Sequence, residues 1–100
     1  MKFLTMNPQD IAQTLPHNLD AEQALLSTLM HHNGSYEKIS EFLKPDHFSH
    51  VAHQKIFQAI GRLIERGQIA DPVTLKDFFQ KHEDLAQAGG TDYLAYLATN

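Results

Sequence analysis

The sequence predicts an all-α fold, a compact orthogonal bundle of five to six short helices, and three observations point there. Apolar residues recur at helical spacing in two long stretches, residues 20–31 and 51–66. No stretch sustains the strict apolar/polar alternation of a half-buried strand. Residues that start and stop helices stand at the edges of each periodic run.

Residues 1–16 show no amphipathic period and are interrupted by Pro8 and Pro16, which reads as a loosely held arm; the helical domain is expected to occupy residues 17–100. Asn18 or Asp20 can cap the first helix, and Asp20 with Gln23 has the spacing of a capping box. Ala21, Leu25, Leu26, Leu29 and Met30 form its apolar face, and Gly34 is placed to end it. Ser35 can cap a short helix carrying Ile39, Phe42 and Leu43, and Pro45 suits the first position of a turn near Phe48. The clearest element runs from about Val51 to Arg66. Ala52, Ile56, Ala59, Ile60 and Leu63 line one side, Phe57 and Ile64 widen it, and the opposite side holds Gln54, Lys55, Gln58, Gly61, Arg62 and Glu65. Gly67 closes it. Asp71-Pro72-Val73-Thr74 opens the next helix, with Asp71 as cap and Pro72 where the missing amide has no helical partner to lose. Leu75, Phe78 and Phe79 then face inward. Gly89-Gly90 breaks the chain before a last helix with Thr91 as cap and Tyr93, Leu94 and Leu97 at helical spacing. Most of these helices are too short to be stable alone, so they depend on mutual packing.

One hundred residues, 42% hydrophobic and 20% charged, fit one domain with one core. The absence of cysteine excludes disulfides and thiolate chemistry and fits a reducing compartment, so the cytosol is the expected location. The amino terminus lacks the apolar run of a signal peptide, and no segment is long enough to span a membrane. A net charge of −4 argues against strong nonspecific duplex binding, which depends on lysine and arginine neutralising phosphates. Protonation of all seven histidines would reverse that sign, so charge-dependent contacts are expected to respond to mild acid.

No catalytic pattern emerges. Gly61 and Gly67 are six apart and followed by Gln68-Ile69, which is not a phosphate-cradling loop, and the nucleophile elbow is absent. His47, His50 and His53 have a spacing that suggests a metal site, but three such positions on one helix spread over roughly a third of its circumference. His53 also falls on the apolar arc, where a hydrogen-bonded core histidine is the simpler expectation. Adjacent His31 and His32 suit a helix carboxyl end. Glu22 is a charged residue on an apolar arc, but in a first turn, where it is expected to anchor the helix start, paired with an arginine. Tyr93 and Tyr96 are candidate protein-interaction residues, because tyrosine anchors many interfaces; a place at the core margin fits them equally well. No catalytic, cofactor-binding or metal-binding residue is assigned.

Leu15-Pro16-His17-Asn18, followed by Asp20-Ala21-Glu22-Gln23-Ala24-Leu25-Leu26, resembles the entry segment of DnaB-type replicative DNA helicases. Leu43-Lys44-Pro45-Asp46-His47-Phe48, His53-Gln54-Lys55-Ile56-Phe57-Gln58-Ala59-Ile60, Asp71-Pro72-Val73-Thr74-Leu75 and Gly89-Gly90 with Tyr93-Leu94 follow in that family's order, so the similarity covers nearly everything from about Leu15 onward. The resemblance implies the amino-terminal collar domain of a hexameric ring helicase, without the ATP- and magnesium-dependent motor, and so a fragment that is not itself an enzyme. Its implied partners are the carboxyl-terminal domain of primase, in some lineages a helicase loader, and other copies of itself. A helical hairpin that supplies much of the family's pairing lies past the last residue here, so the fragment is expected to be a monomer or weak dimer. The alternative expectation is a metal- or pH-sensing module built on His47, His50 and His53.

Overall fold

The computed structural model describes residues 18–82 and 91–99, apart from the side chains of His82 and Thr91. The described residues form five α-helices and two 3₁₀ turns: α1 (Leu19–His31), a turn at Asn33–Ser35, α2 (Tyr36–Ser40), a turn at Pro45–His47, α3 (Val51–Glu65), α4 (Pro72–His82) and α5 (Thr91–Thr99). No strand occurs among them, as the periodicity predicts. None of these helices is long and apolar enough to cross a membrane. The expected arm and Gly89-Gly90 lie outside the described residues.

α1 is the central helix, packed against α3 on one flank and α5 on the other, while α4 leans on both α3 and α5. Its position explains its burial. Leu25, Leu26 and Leu29 are fully buried, as the apolar face requires, but Ser27 and Thr28 are buried too, so the carboxyl-terminal half is enclosed nearly all round. The Asn18 side chain accepts the Ala21 N–H at 3.0 Å and caps the helix. The other end differs from expectation. α1 stops at His31 rather than at Gly34, because Asn33 intervenes: its amide donates to the carbonyls of Leu29 (2.7 Å) and Ala70 (2.9 Å) and accepts the Ala70 N–H at 2.8 Å. One side chain thus terminates α1 and pins the α3–α4 connection to it. Ser35 makes no capping bond, since the 3₁₀ turn runs directly into α2.

α3 matches its predicted span within a residue, and its stripe of Ala52, Ile56, Ala59, Ile60 and Leu63 is buried together with Phe57. Gly67, at φ +75°, ends it: the Gly67 N–H donates to Ile64 O at 3.0 Å and the Gln68 N–H to Leu63 O at 2.9 Å. This pair of bonds satisfies the last helical carbonyls and requires the left-handed backbone that glycine adopts freely. α4 begins as its sequence predicts. The Thr74 N–H donates to Asp71 Oδ1 and the Asp71 N–H to Thr74 Oγ1, both at 2.9 Å, a reciprocal cap around Pro72.

Gly61 departs from the predicted pattern. It is buried rather than part of the polar side, because the half-buried Tyr36 ring lies against its Cα. A Cβ there would collide with the phenol oxygen and Cζ of Tyr36, whose ring in turn packs on Phe57 with centroids 5.5 Å apart. Gly61→Ala should raise helix propensity by about 1 kcal/mol. Overpacking opposes that gain, so the expected net effect is destabilisation of about 1–2 kcal/mol in urea unfolding. Combining it with Tyr36→Ala should make the two effects markedly non-additive.

Candidate functional site

The most chemically loaded part of the structure is a chain of polar side chains crossing the core where α1, α3 and α5 meet. Glu22 and His53 are both fully buried. The Glu22 carboxylate accepts four hydrogen bonds: the Ser49 N–H at 2.8 Å and hydroxyl at 2.6 Å, the His50 N–H at 3.4 Å and the His53 Nδ1–H at 2.7 Å. Ser49 and His50 immediately precede α3, so one anion sits at the amino ends of two helices. The exposed amides that lead into α3 bind it directly, and both helix dipoles favour it there. Glu22 is therefore an anchor at a helix start, as expected, but its partners are His53 and the entry to α3 rather than an arginine.

The hydrogen-bond directions follow from what each group can do. An ionised carboxylate only accepts, so His53 Nδ1 carries the proton facing Glu22. In the neutral ring Nε2 is then an acceptor, and it takes a short hydrogen bond from the Tyr93 hydroxyl. Tyr93 Oη in turn accepts from Gln23 Nε2 at 3.1 Å. Gln23, Tyr93, His53 and Glu22 form a one-directional relay of donors, and no described buried side-chain nitrogen or oxygen is left without a partner. Rings reinforce the geometry: Tyr93 stacks on His53 with centroids 5.7 Å apart and planes 16° apart, and Phe48 meets His53 edge-on at 6.4 Å.

Two opposed effects set each protonation state. Burial alone would raise the Glu22 carboxyl, but the hydrogen bonds from Ser49, His53 and His50 together hold it below its ordinary range. For His53, desolvation outweighs the attraction of Glu22 and lowers the imidazole, with His50 pushing the same way. Burial raises the Tyr93 phenol. At neutral pH the pair is accordingly carboxylate and neutral imidazole.

The other histidines have separate duties. His47 Nδ1 accepts the Lys44 N–H at 2.9 Å and closes the 3₁₀ turn, while His50 Nδ1 accepts the Ala52 N–H at 3.3 Å and caps α3. His47, His50 and His53 are thus engaged in three different hydrogen-bonding roles, and no set of three potential ligands that could hold a metal ion occurs among the described residues. His31, the last residue of α1, donates from Nε2 to Ala98 O at 2.7 Å and ties α1 to α5.

Tyr93 and Tyr96 share one face of α5, their rings stacked at 6.0 Å and 16°. Tyr93 is half-buried, its hydroxyl engaged in the core, whereas Tyr96 is 51% exposed. The sequence treats the two alike; the structure separates them into an inner and an outer ring. The four-residue relay itself is not legible from sequence spacing, since its members lie 31 and 40 residues apart across the contacts of His53.

Both buried groups make stability sensitive to acid in the same sense. The folded-state value of His53 lies below its ordinary 6.5, so folding disfavours the proton: its contribution is complete above 6.5 and declines as pH falls below it. Glu22, lowered from 4.5, contributes above 4.5 and loses that contribution as pH falls through its folded value. The unfolding midpoint in urea should therefore begin to drop below about pH 6.5 and fall again below about pH 4.5. Glu22→Ala, which strands donors in the core, should cost about 3–5 kcal/mol.

Comparison with known proteins supplies the context for this domain. The DnaB-like helicase N-terminal domain family matches residues 14–100. A replicative DNA helicase DnaB from Rickettsia felis is 40% identical over 89 residues, which are 89% of this chain and 18% of that protein. One from Geobacillus stearothermophilus is 39% identical over 83 residues, 83% of this chain and again 18% of the relative. The chain thus spans about a fifth of the length of these curated relatives. The crystal structure of the N-terminal domain of DnaB helicase from Mycobacterium tuberculosis superposes with a TM-score of 0.78 at 33% identity, covering 85% of this chain and 59% of that one. On this family match, fold and sequence similarity, the chain belongs to the DnaB-like helicase N-terminal domain family.

Proposed function

We propose that this domain is a docking and self-association module in the collar of a hexameric replicative helicase, binding the carboxyl-terminal domain of primase and so coupling primer synthesis to unwinding. A helicase loader is the related partner in lineages that use one. ATP and magnesium act in the motor of the parent protein, and the cytosol is where it works.

The observation that carries this reading is the outward stack of Tyr96 on Tyr93 in a domain whose polar core is internally satisfied. The buried carboxylate and imidazole are enclosed, so they serve architecture rather than substrate. What faces outward on α5 is an aromatic surface held rigid from behind, the type of group that anchors protein interfaces at little entropic expense. No observation favours the metal-sensing alternative, because His47, His50 and His53 are committed to separate bonds.

Calorimetric titration with the primase carboxyl-terminal domain tests the proposal. Tyr96→Ala should weaken binding about tenfold or more while leaving thermal stability nearly unchanged. Tyr93→Ala should reduce both affinity and stability, since it also breaks the core relay. Failure of a longer chain that includes the following helices to bind primase would sink the docking reading. Unaltered affinity in Tyr96→Ala would show that the surface lies elsewhere.

A further inference from the structure

Asn33 and Gly34 are the one Asn-Gly pair in the sequence, and they sit at a joint of the fold. Asparagine is a thermolabile residue, and a following glycine makes it most prone to lose ammonia in water, because no side chain hinders attack by the next backbone nitrogen. The Gly34 nitrogen, giving its proton to base, bonds to Asn33 Cγ; the bond from Cγ to Nδ2 breaks and ammonia leaves. Water then opens the cyclic imide at either carbonyl, giving aspartate or isoaspartate at position 33. Water is the only co-reactant.

The folded chain opposes this reaction at both ends of the bond to be made. Asn33 Nδ2 donates to Leu29 O at 2.7 Å and to Ala70 O at 2.9 Å, and Oδ1 accepts the Ala70 N–H at 2.8 Å. Ring closure needs the carboxamide free to swing onto its own backbone, and needs that backbone to leave helical dihedrals. Here the carboxamide is held by the end of α1 and by a fully buried residue of the α3–α4 connection. The backbone is held too, since Asn33 opens a 3₁₀ turn and its carbonyl accepts the Tyr36 N–H. Gly34 is exposed, so water reaches the pair and the restraint is conformational.

We propose that Asn33-Gly34 is a spontaneous deamidation site kept silent by the bonds to Leu29 and Ala70, and that its reaction in an opened molecule prevents α1 from rejoining the α3–α4 connection. The product cannot remake the latch. A carboxylate has no N–H to give, so both carbonyls lose that donor and face an anion, at the carboxyl end of α1 where the helix dipole disfavours negative charge. Isoaspartate also adds a methylene to the main chain, at the start of the turn in which the Ser35 N–H donates to His32 O at 3.0 Å. Opening thereby becomes one-way. The rate follows the population of the opened state, so whatever holds the fold closed prolongs the chemical life of the domain. None of this depends on what binds α5.

Peptide-mapping mass spectrometry of the chain, kept in mildly alkaline buffer with and without guanidinium chloride, reads the site. In denaturant, position 33 should convert to a mixture of aspartate and isoaspartate. Natively the conversion should be at least about tenfold slower, because the hydrogen bonds of Asn33 must open first. Equal rates in the two conditions would overturn the protection, and an Asn33 that stays intact in denaturant would overturn the site. Gly34→Ala isolates the chemistry from the fold: an added Cβ meets no atom within 4 Å and the backbone there is not left-handed, so the variant should keep the native circular dichroism spectrum. Its conversion in denaturant should fall severalfold; conversion as fast as in the parent chain would contradict attack by the Gly34 nitrogen. Deamidated protein, separated by ion exchange through its extra negative charge, should unfold at a lower guanidinium concentration than the intact chain. An unchanged midpoint would overturn the one-way opening.

Discussion

The burial of one carboxylate organises this domain. Glu22 is fully enclosed in a core of leucine, isoleucine and phenylalanine, and an unpaired charge there would cost several kcal/mol. It is tolerated because the amino ends of α1 and α3 converge on it and because Ser49, His50 and His53 direct donors at it. That requirement fixes the angle at which α3 leaves the preceding turn. It also orients His53, which then has only one atom, Nε2, left to satisfy. Tyr93 satisfies it, and α5 is thereby held against α1 and α3.

α5 illustrates why the polar relay matters in an otherwise apolar bundle. Nine residues form too little helix to persist alone. Leu94 and Leu97 supply the hydrophobic contact, but apolar packing is non-directional and would allow the helix to slide or roll. Two imidazoles on other elements remove that freedom: His53 at the Tyr93 end and His31 at the Ala98 end. α5 consequently runs in the same sense as α1, with Gln23 beside Tyr93 and His31 beside Ala98. The docking surface proposed on α5 gains from such rigidity, because less ordering remains to be done on binding.

The elements were legible where a residue has one physical use. Asp71-Pro72-Val73-Thr74 reads as a helix start and is one; Gly67 reads as a helix end and takes the positive φ that this role demands. The apolar stripe of α3 follows directly from its period. A residue with several physical uses is less legible. Imidazole donates, accepts, titrates or ligates, so spacing alone leaves the duties of His47 and His50 open; the apolar arc does mark His53 as a hydrogen-bonded core histidine, and each of the three has its own bond. Gly61 reads as a neutral member of a polar side, because nothing local announces that Tyr36 will lie across it. Arginine was the natural expectation for a buried glutamate; only the fold brings His53 and two backbone amides to Glu22 instead. Tyr93 and Tyr96 look equivalent on a helical wheel, and their separation into inner and outer rings depends on contacts 40 and 70 residues away.

The Glu22–His53–Tyr93 relay depends most directly on the proton carried by His53. Long-range ¹⁵N–¹H correlation spectroscopy of the imidazole at pH 7.5 reads that position without a mutation or a partner. A neutral ring protonated at Nδ1, with Nε2 bare and accepting, is the result that follows from the Glu22–His53–Tyr93 relay. A ring protonated at Nε2, or an imidazolium at that pH, would contradict it.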